Sequence, residues 1–152
     1  MTSKALFQTT ILAASLVCAM AFTKSVSAFE GLRVITNSEH AIGQLSKQEV
    51  VNLFMGGGSG YDLKPVELSH ASHSRAAFNT MIVGLTEARI QSYWAQMRFS
   101  GRMKPPKMMQ SEADVLAYLQ RNEDVIAYIS ASYPVPEGMQ VVYELKASAN
   151  RL

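Results

Sequence analysis

The chain has 152 residues, 48% of them apolar and 17% charged, which is enough for one domain with a real hydrophobic core. A net charge of +2 with no long basic run gives no electrostatic footprint for nucleic acid, so nucleic acid is excluded as a partner. A single cysteine excludes a disulfide framework.

Residues 1–28 read as a cleaved signal peptide. Lys4 supplies the positive start, and an apolar run over residues 11–22 is interrupted only by Ser15. Val26-Ser27-Ala28 places small side chains one and three positions before a cut. The run is shorter than the roughly 20 apolar residues of a membrane span, which disfavours the rival reading of an uncleaved anchor. Cys18 follows Val17, where a lipid anchor needs a small residue, and Ser15 stands where leucine is usual, so lipidation is rejected. Export predicts a periplasmic location for the mature domain, residues 29–152. The cysteine, Lys4 and Lys24 leave with the leader, so twelve basic residues then balance twelve acidic ones. With no disulfide, the mature part must stand on its core alone.

Leu32-Arg33-Val34-Ile35-Thr36 alternates and is β-branched, which predicts a strand starting after Gly31. A polar link over residues 37–43 follows. Ser46-Lys47-Gln48-Glu49 forms a capping box, and the helix after it buries Val50, Val51, Leu53 and Phe54. The glycine-rich run over residues 56–60 ends that helix. Residues 64–68 predict a short strand with Pro65 near its start, at an edge position. A polar turn over residues 69–74 opens a helix near Ser72 or Ser74, which should bury Phe78, Met81 and Ile82 and stop at Gly84. Thr86 caps the next helix, in which Ile90, Tyr93, Trp94 and Met97 recur at helical spacing.

Gly101 and Pro105-Pro106 make residues 100–107 a loop. Ser111-Glu112-Ala113-Asp114 starts a further helix with Val115, Leu116 and Leu119 inward. Residues 125–129 predict a buried strand and residues 139–145 a last one, with residues 146–152 as a disordered tail. Strands alternating with helices give an α/β class. Two final strands without a helix between them predict a mixed sheet flanked by helices.

The order of these pieces resembles the phosphate ABC-transporter substrate-binding proteins, which are of the type II periplasmic binding kind. The residues that carry the resemblance are Val34-Ile35-Thr36-Asn37, Leu45-Ser46, Asn52-Leu53-Phe54-Met55-Gly56, the segment 66–78 and Val125-Ile126-Ala127-Tyr128-Ile129. A short, single-lobe variety is also similar through Tyr93-Trp94, Phe99-Ser100-Gly101-Arg102 and Pro105-Pro106. The resemblance implies a PBP-like lobe that binds an oxyanion, phosphate first, as a non-enzymatic component linked to phosphate uptake. Two features depart from it. The full-length proteins close two lobes on the anion, whereas this chain has length for one. The loop after Gly56 normally carries a tryptophan turn, and here it is glycine-rich with Tyr61.

Ser69-His70-Ala71-Ser72-His73-Ser74-Arg75 is the candidate ligand site. A turn between a strand and a helix start offers free amides and a partial positive charge. In the family the equivalent turn supplies anion ligands, so Ser69, Ser72, His73, Ser74 and Arg75 are the expected phosphate contacts. Hydroxyls and protonated imidazole would donate, and the Arg75 guanidinium would form a two-pronged contact from a helix surface. The competing reading is a serine-capped helix with a solvated arginine.

His70 and His73, three apart, could share a helical face. With only His40 besides, they make no metal site, and no metal or other cofactor is expected. The glycine run lacks the Lys-Ser/Thr of a phosphate loop. Met97, Met103, Met108 and Met109 hint at copper(I) but fit gap-filling roles. Arg98, Arg102 and Lys104 form a basic patch beside the proline loop, either solvated or a contact for an anion or partner. The sequence holds no nucleophile elbow, and Glu87, Asp114, Glu123 and Asp124 read as solvent-facing, so no enzyme is expected. The rival function is an interaction module that docks on an envelope sensor or transporter. A homodimer could rebuild a cleft for the anion.

Overall fold

The computed structural model of the chain describes residues 29–37, 39, 42–58 and 60–147. The predicted signal peptide, His40, Ser59 and residues 148–152 lie outside them. No helix among the described residues is long and apolar enough to cross a membrane.

The β-branched run near the start forms β1 (Gly31–Asn37). The expected capping box then opens α1 (Lys47–Met55): the Ser46 hydroxyl accepts from the Glu49 amide, and the Ser46 amide donates to the Glu49 carboxylate. Gly56 ends this helix at φ 76°, a left-handed position that glycine takes without strain. β2 (Lys64–Leu68) leads through the polar turn into α2 (His73–Ala77), capped by Ser72. α3 (Glu87–Phe99) starts at the Thr86 cap, and α4 (Glu112–Leu119) starts at a second capping box, Ser111 with Asp114. β4 (Val125–Ser130) and β5 (Met139–Lys146) complete the chain.

Three local expectations are corrected. Residues 107–109, assigned to the end of a loop and the approach to α4, form the short strand β3 (Lys107–Met109), which is parallel to β2. Its three residues are too few for any periodic signal. The helix after the polar turn widens into a π-helical segment, Phe78–Val83. The wider turn rotates Asn79 inward beside Phe78 and Ile82, and leaves Met81 40% exposed instead of buried. Pro65 is not on an edge strand, because β2 lies between β3 and β4. Pairing with β3 begins only at Val66, so the missing Pro65 N–H leaves no ladder bond on that side unmade.

The sheet order is β3-β2-β4-β1-β5. β2 runs parallel to β3 and β4, and β1 is antiparallel to both β4 and β5, so the sheet is mixed as expected. The two final strands do not pair, because β1 lies between them. Every residue from Val125 to Ile129 is buried, which means both faces of β4 are covered. At the centre of the core Phe78 stacks on Tyr128 with ring centres 4.0 Å apart, and Phe54 tilts against Phe78 at 4.7 Å.

Candidate functional site

The three mutually parallel strands end together. Leu68 ends β2, and Ser69, Ser72, His73 and Ser74 follow it. Gln110, Ser111 and Glu112 follow β3, and Tyr133 follows β4. These residues line one open basin of about 460 Å³. Two helix starts, those of α2 and α4, open onto it, each presenting first-turn amides without an intrahelical acceptor. α/β sheets place ligands at this end of parallel strands because the chain turns there from strand to helix.

Ser69, Ser72, His73 and Ser74 all line this basin. Ser72 is committed in part, since its hydroxyl accepts from the Arg75 amide at 3.4 Å and its amide donates to the Ser69 carbonyl at 2.9 Å. The Ser74 hydroxyl donates to the Glu112 carboxylate at 2.8 Å, and the same carboxylate oxygen accepts from the Ser130 amide at 2.7 Å. Glu112 therefore places an acceptor oxygen where donors converge. Sequence reasoning missed it, because an acid in a first helical turn reads as an ordinary partner for the helix dipole.

Arg75 is not on a helix surface, as the sequence suggested. It is 2% exposed. Its guanidinium makes four hydrogen bonds: Nε and Nη2 to the Glu87 carboxylate (2.9 and 3.1 Å), and Nη1 to Glu67 (2.7 Å) and to the Leu68 carbonyl (2.8 Å). Asn79, turned inward by the π-helical segment, donates to Glu87 at 2.6 Å. Glu87, whose side chain stays 37% exposed, therefore does more than face solvent as expected: it clamps α3 to α2. The signal for this pairing is absent from the sequence, since Glu67 and Glu87 lie 8 and 12 residues from Arg75 on different elements.

Electrostatics follow from the burial. Desolvation would raise the Glu87 carboxyl, but hydrogen bonds from Arg75 and Gln91 bring it down to about 2. For Glu67, loss of water outweighs the pairing with Arg75 and pushes its carboxyl up. His70 precedes α2, and its Nδ1 lies 2.8 Å from Glu87, while His73 is the exposed first residue of α2. The two imidazoles therefore do not share a helical face. Among the described residues no group of three acidic or histidine side chains could hold a metal.

No protein-family model matches the chain, and no curated protein is similar to it in sequence. Solved structures are. An ABC-type phosphate transport receptor from Vibrio cholerae superposes with a TM-score of 0.56 at 14% identity, over 75% of this chain and 46% of that one. The chain has the fold of about one lobe of such a receptor. A protein assigned as a phosphate ABC transporter substrate-binding protein, from Clostridium perfringens and solved with bound phosphate, matches at TM-score 0.56 and 20% identity, covering 74% of this chain and 44% of its own. PstS from Borrelia burgdorferi matches at TM-score 0.50 and 13% identity, covering 68% and 42%. The chain spans less than half the length of each of these structures.

Proposed function

We propose that the chain is an exported, non-enzymatic binding lobe that takes an oxyanion, phosphate first, in the basin at the strand ends, as an accessory or substrate-binding component of phosphate uptake. The observation that carries this reading is the convergence of two helix starts on one basin. The phosphate held by the Clostridium perfringens neighbour points to the ligand. In this reading the free amides of α2, with Ser69, Ser72 and the His73 imidazole, hold the anion. Arg75 acts from beneath as a scaffold: its charge is spent on Glu67 and Glu87, and it fixes the turn through the Leu68 carbonyl. Glu112 shapes the choice of ligand. Hydrogen phosphate keeps a proton to donate to a carboxylate, whereas sulfate has none and meets only repulsion. Cleavage after Ala28 and a free periplasmic domain complete the proposal, and the intact mass of protein recovered from cells tests them.

The experiment for the site is titration with phosphate and with sulfate, followed by amide chemical shifts. Phosphate should move the His73 and Ser74 amides with an affinity on the order of millimolar, about −4 kcal/mol. His73→Ala should weaken it severalfold. Silent amides at 69–74 in the presence of tens of millimolar phosphate would sink the reading. A second reading, an interaction module on an envelope sensor or transporter, draws on the internal use of Ser74 and Arg75. That outcome would favour it.

A further inference from the structure

The far end of α3 carries a feature the basin does not use. Between Glu87 and Glu112 the chain holds five cations, Arg89, Arg98, Arg102, Lys104 and Lys107, and no carboxylate. Phe99, the last residue of α3, is 97% exposed, while no other large apolar side chain described exceeds 40%. Arg98, Arg102 and Lys104 are also exposed, and none of them forms an ion pair among the described residues. Gly101, at φ 67°, turns the chain so that all three cations border one open hollow with Met103 and Pro105.

We propose that this tip docks on an anionic membrane surface. Phe99 enters the boundary between headgroups and acyl chains, and Arg98, Arg102 and Lys104 meet lipid phosphates. Size selects the partner. A stable protein interface needs about 800 Å² per side around an apolar centre, and here the protruding apolar part is one ring. A bilayer envelops a single side chain from all directions and gains from each nearby cation separately. The unpaired positive charge supplies the complementarity to anionic lipid. The tip is held firmly by the rest of α3. Ile90 and Trp94 are buried, Glu87 grips Arg75, and the Tyr93 hydroxyl donates to the Met55 carbonyl at 2.8 Å. The proposal is independent of whether the turn at 69–75 binds an anion.

The test is cosedimentation with vesicles of phosphatidylglycerol and phosphatidylcholine at one to three, against pure phosphatidylcholine. Binding should appear on the anionic vesicles only and be reversed by 0.5 M salt, which shrinks the Debye length to about 4 Å. Phe99→Ala should lower partitioning about tenfold. The pair Arg98→Ala with Arg102→Ala should lower it about twenty-fivefold, since each cation contributes about fivefold. To separate the tip from the apolar run at residues 11–22, Phe99→Trp is placed on vesicles with brominated acyl chains. Its emission should be quenched, while the buried Trp94 of the parent should not respond. Unquenched Phe99→Trp, equal binding by Phe99→Ala, or salt-resistant binding to neutral vesicles would each overturn the proposal. So would capture by an acidic protein with no affinity for anionic vesicles.

Discussion

Arg75 shows how one residue can change meaning once its neighbours are known. Read along the chain, it is a cation one turn into a helix, suited to an anion. In the fold it is a buried cation between two carboxylates. Removing one partner of a buried pair leaves the other charged and unsolvated, at a cost of about 3–5 kcal/mol. Arg75→Ala should therefore destabilise the domain by that amount in urea unfolding. Adding Glu67→Gln should recover part of the loss, because the stranded carboxylate is then gone. A variant as stable as the parent would mean that the guanidinium is solvated after all.

Glu87 gives the same cluster a pH dependence. Its folded pKa of about 2 lies below the ordinary 4.5, so the folded state binds this proton less readily than the unfolded chain does. Its contribution is complete above about 4.5 and is lost as pH falls toward 2. Glu67 works the other way, since a raised carboxyl favours the folded state as acid is added. Unfolding measured across this range should show a shallower acid decline in Glu87→Gln than in the parent. Equal slopes would remove Glu87 as the source.

At the scale of elements, most of the secondary structure was legible because its signals close within a few residues. The capping boxes at Ser46 and Ser111 need only a hydroxyl and a carboxylate three positions apart, and both form as read. Ser46→Ala and Ser111→Ala should each cost about 1 kcal/mol in thermal unfolding, the ordinary value of a cap. Near-additive losses are expected, because the two helices do not share a cap partner. What escaped was decided by pairing. β3 is a strand because β2 is beside it, and the π-helical segment turns Asn79 toward Glu87, a partner on another helix. Gly31 belongs to the same class. Its φ of 120° and the approach of the Leu145 carbonyl leave no room for a Cβ. Gly31→Ala should accordingly loosen the β1–β5 pairing, read as faster amide exchange along β5.

For the whole molecule, the decisive quantity is how much of a ligand one lobe can surround. A basin open to solvent gains about 0.3–1 kcal/mol from each helix dipole, and salt reduces even that. Phosphate binding by the monomer should therefore be weak. It should tighten only when a second surface, from another copy or a partner, closes over the basin. Titration at several protein concentrations beside sedimentation checks this, and submicromolar binding by a strict monomer would disprove it.

The sequence alone determined the alternation of strands and helices that gives the α/β class, the caps of the helices and the turn at 69–74, since each rests on hydrogen bonds and apolar spacing within an element. The sheet, by contrast, is mixed through the antiparallel place of β1 between β4 and β5, a pairing between elements. The tertiary structure alone decided that Arg75 faces Glu67 and Glu87, that Glu112 enters the basin, and that Phe99 is left outside the core. These are contacts, or missing contacts, between elements separated in the chain. Local pattern carries no information about which charges will be brought together once water is expelled between them.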